Sequence, residues 1–212
     1  MASQHQQDGH SHNHGDHAEY YSRRAEAIQA LLIEKGVCSL NEIITMADQI
    51  DARSPEDGAR IVARAWVDPE YKKRLITDPE SAIQELGLGL PETAPRLRVL
   101  ENTEEIHYLG VCTLCSCFPR AVIGRPPDWY KGLAYRSRVV VDPRSVMREF
   151  GTELDESVEV RVMDSSADMR YLVLPKRPAG TEGLSEEELA KLVTLESMIG
   201  VTHAKSPSAA IV

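Results

Sequence analysis

Apolar residues in the first part of the chain recur at helical spacing. Tyr21, Ala25, Ile28 and Leu32 stand three or four apart, and Gly36 closes the run. Ser39 followed by Glu42 has the form of a capping box and predicts a second helix ending near Asp51. Ser54 with Pro55 starts a third, carrying Ile61, Val62, Ala65 and Trp66, and Trp66 is expected in the core. Shorter helices are predicted from Pro69 to Ile76 and from Pro79 to Leu86. Residues 18–90 therefore read as a helical arm able to pack on another surface.

After Leu90 the period shortens. Leu97, Val99, Tyr108 and Val111 fall in short β-type runs on either side of a turn at Glu101-Asn102-Thr103. Ser157–Met163 alternates, with Val158, Val160 and Val162 on one face, and Arg170–Leu174 is a further strand ended by Pro175. A helix is expected around Leu133–Val141, and a last one opens at Ser185 with Glu188 and runs to about Thr194. No internal repeat is present. The pattern is α+β: a helical arm, then over residues 91–203 a small sheet with covering helices, then a flexible tail over 204–212.

Composition narrows the functions available. A net charge of −9 argues against nucleic acid or an anionic membrane surface as partner. No apolar run approaches the ~20 residues of a spanning helix, and the N-terminus has no apolar signal core, so a cytoplasmic protein is expected. Aromatic residues make up 5% of the chain, sparse for a core that must close alone, which points to a partner. Residues 1–17 hold His5, His10, His12, His14 and His17 among polar residues. They read as a disordered tail, either a loose collector of divalent ions or idle.

Three of the four cysteines lie within six residues, in Cys112-Thr113-Leu114-Cys115-Ser116-Cys117. Such clustering points to metal or redox chemistry rather than to a disulfide framework. Structural zinc and four-thiolate iron–sulfur sites each want a fourth ligand. Cys38 lies some seventy residues away, where a small buried hydrophobe is expected, and His107 falls in a predicted strand without a partner histidine. Backbone can complete the set. The amide nitrogens of Ser116 and Cys117, if deprotonated, form a square plane with the sulfurs of Cys115 and Cys117, leaving Cys112 axial and a sixth position open. Deprotonating amides requires a strongly Lewis-acidic trivalent ion, either Co³⁺ or low-spin Fe³⁺.

Val111–Cys117 resembles the metal-binding claw of the nitrile hydratase α-subunit family and of the related thiocyanate hydrolase γ subunit. The resemblance extends to Ala59–Trp66, the Glu101-Asn102-Thr103 turn, the run from Gly124 to Lys131, Tyr135–Val140 and Asp142-Pro143-Arg144. It continues through Val160–Val162, Arg170–Pro175 and Arg177–Gly183, so that it covers roughly residues 20–202. It implies one non-corrin Co(III) per chain, because threonine at the position of Thr113 accompanies cobalt and serine accompanies iron. It also implies that Cys112 stays a thiolate, that Cys115 becomes a sulfinate and Cys117 a sulfenate, and that Ser116 supplies its amide nitrogen. Cys115, Ser116 and Cys117 are then the catalytic residues, hydrating a nitrile to an amide with water activated by the metal or by the Cys117 sulfenate. A β-type subunit supplies arginines to the oxidised sulfurs, an activator protein inserts cobalt, and the chain alone is inactive.

The match departs after the claw. Relatives read Tyr or Thr, then Pro-Trp-Pro, where this chain has Phe118-Pro119-Arg120-Ala121, and a glutamine is replaced by Thr93. Arg120 either turns the pocket toward a polar or bulky substrate, such as the nucleoside nitrile of toyocamycin nitrile hydratase, or ion-pairs with the partner. It is also the feature most like the thiocyanate hydrolase γ subunit, the second enzymatic reading. A structural zinc or metal-delivery protein is the non-catalytic one. Trp129 and Tyr130 are expected to pack, and Arg161, Arg170 and Arg177 to form structural ion pairs.

Overall fold

The structure, a computed structural model, describes residues 14–207. His5, His10 and His12 of the histidine-rich tail and residues 208–212 of the C-terminal tail lie outside the described residues. The chain divides into two compact units, residues 1–48 and 49–212. The first holds α1 (His14–Glu34) and most of α2 (Leu40–Asp51). Gly36 adopts a positive φ of 67° behind α1, and the predicted capping box opens α2: Ser39 N–H donates to Glu42 at 2.7 Å and Glu42 N–H to Ser39 Oγ at 3.2 Å. Ile28, Leu31, Leu40 and Ile44 are exposed, so this unit has apolar faces without a core of its own.

The second unit begins with α3 (Pro55–Val67), α4 (Pro69–Thr77) and α5 (Pro79–Glu85). Each starts with proline after a capping residue. Asp68 accepts from Tyr71 N–H at 3.0 Å and Asp78 from Ser81 N–H at 3.3 Å. Although read as part of the arm, these helices bring Ile61, Val62, Leu75 and Ile83 into the same core as the strands. Trp66 packs against that core and its Nε1 donates to Pro175 O at 2.8 Å.

Four strands follow the predicted order: β1 (Arg96–Glu101), β2 (Ile106–Val111), β3 (Glu159–Asp164) and β4 (Met169–Leu174). They form two parallel pairs, β1 with β4 and β2 with β3, rather than one small sheet. The reason lies in the turn between β1 and β2. Asn102 is buried, its N–H donates to Leu174 O at 2.9 Å, and its Oδ1 accepts from Tyr108 N–H at 2.8 Å. The turn residue thus ties β4 to β2, and β1 and β2 each pair with a strand from the far end of the chain.

Between β2 and β3 lie four short helices: α6 (Arg120–Ile123), α7 (Asp128–Lys131), α8 (Leu133–Arg138) and α9 (Pro143–Glu149). α9 repeats the aspartate–proline start, with Asp142 accepting from Ser145 N–H at 3.1 Å. The helix expected from Ser185 to about Thr194 ends earlier, as α10 (Glu186–Ala190), and a further helix that was not expected, α11 (Leu195–Ile199), follows it. Thr194 caps α11, accepting from Ser197 N–H at 3.1 Å. Gly200 follows with φ 94°; a Cβ there would lie 2.0 Å from Tyr108 O, so only glycine lets the end of α11 lie on β2. Among the described residues no helix is long and apolar enough to cross a membrane.

Candidate metal centre

Parallel register places the cysteine loop. Val111, the last residue of β2, is the partner of Asp164, the last of β3, and Ser165 N–H closes the ladder onto Val111 O at 2.7 Å. The loop leaves from that point. The Sγ atoms of Cys112 and Cys115 stand 3.3 Å apart, those of Cys115 and Cys117 3.2 Å, and all three lie within 4.8 Å of one another. Among the described residues these three sulfurs are the one such group of potential ligands. Cys38 is free and half-buried and is not a member of that group.

The three sulfurs differ in environment. Cys112 is 1% exposed, Cys117 is half-buried and Cys115 is exposed. Hydrogen bonds from the Cys117 and Cys112 thiols, with the backbone N–H groups of Cys117 and Ser116, bring the Cys115 thiol down to about 7. Burial, then the hydrogen bond with Cys115, pushes Cys117 up to about 12. Cys115 therefore ionises more readily than Cys117. The two amides turned toward it are those of the Cys-Ser-Cys tripeptide, so the donor set suits an ion that takes both sulfur and backbone nitrogen. Arg120, the first residue of α6, is exposed and has no ion pair among the described residues. Ser116, half-buried, lies between the two sulfurs in sequence.

A second group of candidate ligands is spent internally. His107 is 3% exposed; its Nε2 lies 2.7 Å from Gly200 O and its Nδ1 3.2 Å from Asn102 Nδ2. A neutral ring with the proton on Nε2 satisfies both contacts. Burial pushes His107 down to about 4. The fold does bring it a histidine neighbour, His203, edge to face at 5.6 Å, but no metal-ligand group forms there.

The sequence matches the family described as nitrile hydratase, alpha chain, over residues 19–202. It is 51% identical to the low-molecular weight cobalt-containing nitrile hydratase subunit alpha of Rhodococcus rhodochrous, covering 91% of this chain and 93% of that one. It is also 51% identical to the cobalt-containing nitrile hydratase subunit alpha of Pseudonocardia thermophila, covering 86% and 90%. The structure of a recombinant thiocyanate hydrolase with partially modified cobalt centres superposes with a TM-score of 0.82 at 40% identity, covering 87% of this chain and 90% of that one. This chain belongs to the nitrile hydratase α-chain family.

In this family member the loop is held by residues that sequence reading did not select. Asp164 accepts from Thr113 N–H at 2.9 Å and from Thr113 Oγ. Arg136, on α8, donates to Thr113 O at 3.1 Å and to Leu114 O at 3.5 Å. Tyr130, on α7, does more than pack: its hydroxyl donates to Cys117 O at 2.9 Å while its ring meets Phe118 edge to face at 4.9 Å. Burial and the neighbouring Cys112 thiol push Tyr130 upward, so it stays a donor. Trp129 packs between Tyr135 and Phe150. Arg161 pairs with Glu159 as expected, whereas Arg177 donates to Trp66 O and Thr181 O. Arg170 bonds the carbonyls of Ser166 and Met169 and favours the Cys117 thiolate electrostatically.

Proposed function

We propose that the chain is the metal-carrying subunit of a cobalt nitrile hydratase, with one Co(III) held by the sulfurs of Cys112, Cys115 and Cys117 and the amide nitrogens of Ser116 and Cys117. The observation that carries this reading is the gathering of three sulfurs within 4.8 Å on one loop. Cobalt held there would supply a Lewis acid that polarises a nitrile. The chain supplies the rest. Buried Cys112 is shielded from oxidants and would stay a thiolate, while the more accessible Cys115 and Cys117 would be oxidised by dioxygen to sulfinate and sulfenate. Water activated by the metal or by the Cys117 sulfenate oxygen would add to the nitrile carbon, and the imidic acid so formed would tautomerise to the amide. Cys115 is exposed beside Leu114, which is 88% exposed. That open face is where a β-type subunit adds cationic donors and excludes water. Cobalt arrives through an activator protein in the cytoplasm.

The exposed Arg120 supports a second reading. A guanidinium three residues beyond the last cysteine suits a polar nitrile, such as a nucleoside nitrile, or an anion such as thiocyanate, the substrate of the γ-subunit relative. Assays on the chain co-produced with a β-type partner and cobalt distinguish these. Amide formation from nitriles is expected, and Arg120→Trp should move preference toward small aliphatic nitriles. Consumption of thiocyanate alone would establish the γ-like reading, and inactivity on both with zinc bound would overturn catalysis.

A further inference from the structure

The loop is gripped from two sides before any ion enters it. Both carboxylate oxygens of Asp164 are committed to one residue, Thr113, one to its N–H and one to its hydroxyl. Parallel register sets this up, because Asp164 is the partner of Val111, one residue before Cys112. From the other side comes Arg136. Its Nη2 bonds Thr113 O and Leu114 O, its Nη1 reaches Lys131 O at 3.4 Å, and its buried Nε has no acceptor among the described residues.

The peptide joining Leu114 to Cys115 connects this arginine to the sulfurs. A trans peptide points its C=O and N–H in opposite directions. Here the C=O receives Arg136, and the N–H donates to Cys112 Sγ at 3.2 Å. The orientation imposed on one end therefore fixes a hydrogen bond to a candidate ligand at the other. Arg136 has no carboxylate partner among the described residues, so its guanidinium is left for the loop carbonyls.

We propose that Asp164 and Arg136 are positioning residues for the metal loop, a clamp on Thr113 and Leu114 that presets Cys112 and Cys115 for the ion. This rests on the cobalt reading given above. Groups that orient ligands from behind typically change metal affinity by about 10–100-fold when removed.

The test uses the complete complex, chain with β-type partner and cobalt, challenged with a chelator while cobalt release and the visible sulfur-to-cobalt absorption are followed. Asp164→Asn and Arg136→Met should each release cobalt about 10–100-fold faster and shift the absorption band. Arg136→Lys should restore part of the retention, since it returns the charge and one donor. Thr113→Val removes only an exposed loop hydroxyl, and its effect should overlap with that of Asp164→Asn rather than add to it. If Asp164→Asn does not fold, Thr113→Val and Arg136→Lys carry the decision. Folded variants that retain cobalt and absorb like the parent would overturn the clamp while leaving the cobalt reading intact. A parent complex that carries zinc would overturn both.

Discussion

The two ends of β2 offer similar raw material and put it to opposite uses. At the start of the strand, His107, Asn102 and His203 bring imidazole and amide groups together, yet each contact of His107 is satisfied within the chain. At the far end, three sulfurs have chiefly one another, and one of them is exposed. A candidate ligand set becomes a site when its donors are left over after folding, while the groups around it are fully engaged. Burial accounts for the difference. A buried imidazole must find partners in the fold, whereas a loop on the rim can leave its sulfurs for something that arrives later.

The comparison can be broken most completely at the sulfur end. Cys115→Ser should abolish stoichiometric cobalt in the purified complex, while the unfolding midpoint of the metal-free chain hardly moves, because Cys115 is exposed. Metal analysis and denaturant unfolding read the two effects separately. At the other end the pattern should reverse. His107→Ala leaves Gly200 O and Asn102 without their partner and opens a cavity, costing about 2–4 kcal/mol of folding stability. Cobalt content in the folded fraction should stay at one per chain, and loss of metal there would erase the distinction.

Acid sharpens it further. The His107 ring, held at about 4 against an ordinary 6.5, refuses a proton that the unfolded chain accepts. Stability from this group is therefore full above pH 6.5 and is lost as pH falls from 6.5 toward 4, by up to about 3 kcal/mol. His107→Gln should flatten that part of the stability profile, and equal slopes in both proteins would remove the assignment. The smallest effect is expected at Tyr130. Tyr130→Phe deletes the bond to Cys117 O and should cost about 1 kcal/mol, seen as a small fall in the unfolding midpoint with cobalt retained.

Much of this was legible in the sequence where the cause is local. The capping boxes at Ser39 and Ser185, the proline starts after Asp68 and Asp78, and the three cysteines are all contiguous patterns. Asp142-Pro143 is the same pattern, although no helix was expected behind it. Thr194 marks the start of a further helix at the point where the last one was expected to end. What could not be read is what depends on pairing. Alternation identifies a strand but not its neighbour, so the turn at Asn102 gave no sign that β1 and β2 would part company. Asp164 stands 51 residues from Thr113 and Arg136 stands 23 from it, and only the β2–β3 register and the packing of α8 bring them to the loop. The residues that hold the loop were therefore hidden, although those that face the ion were plain.

The central claim is that Cys112, Cys115 and Cys117 hold cobalt in an oxidised claw. Metal content and intact mass, measured together on the chain co-produced with a β-type partner in the presence of cobalt, test it most directly. The account predicts about one cobalt per chain, with a sulfinate's two oxygens and a sulfenate's one on the peptide containing Cys115 and Cys117. One zinc per chain with all three thiols unmodified would contradict it.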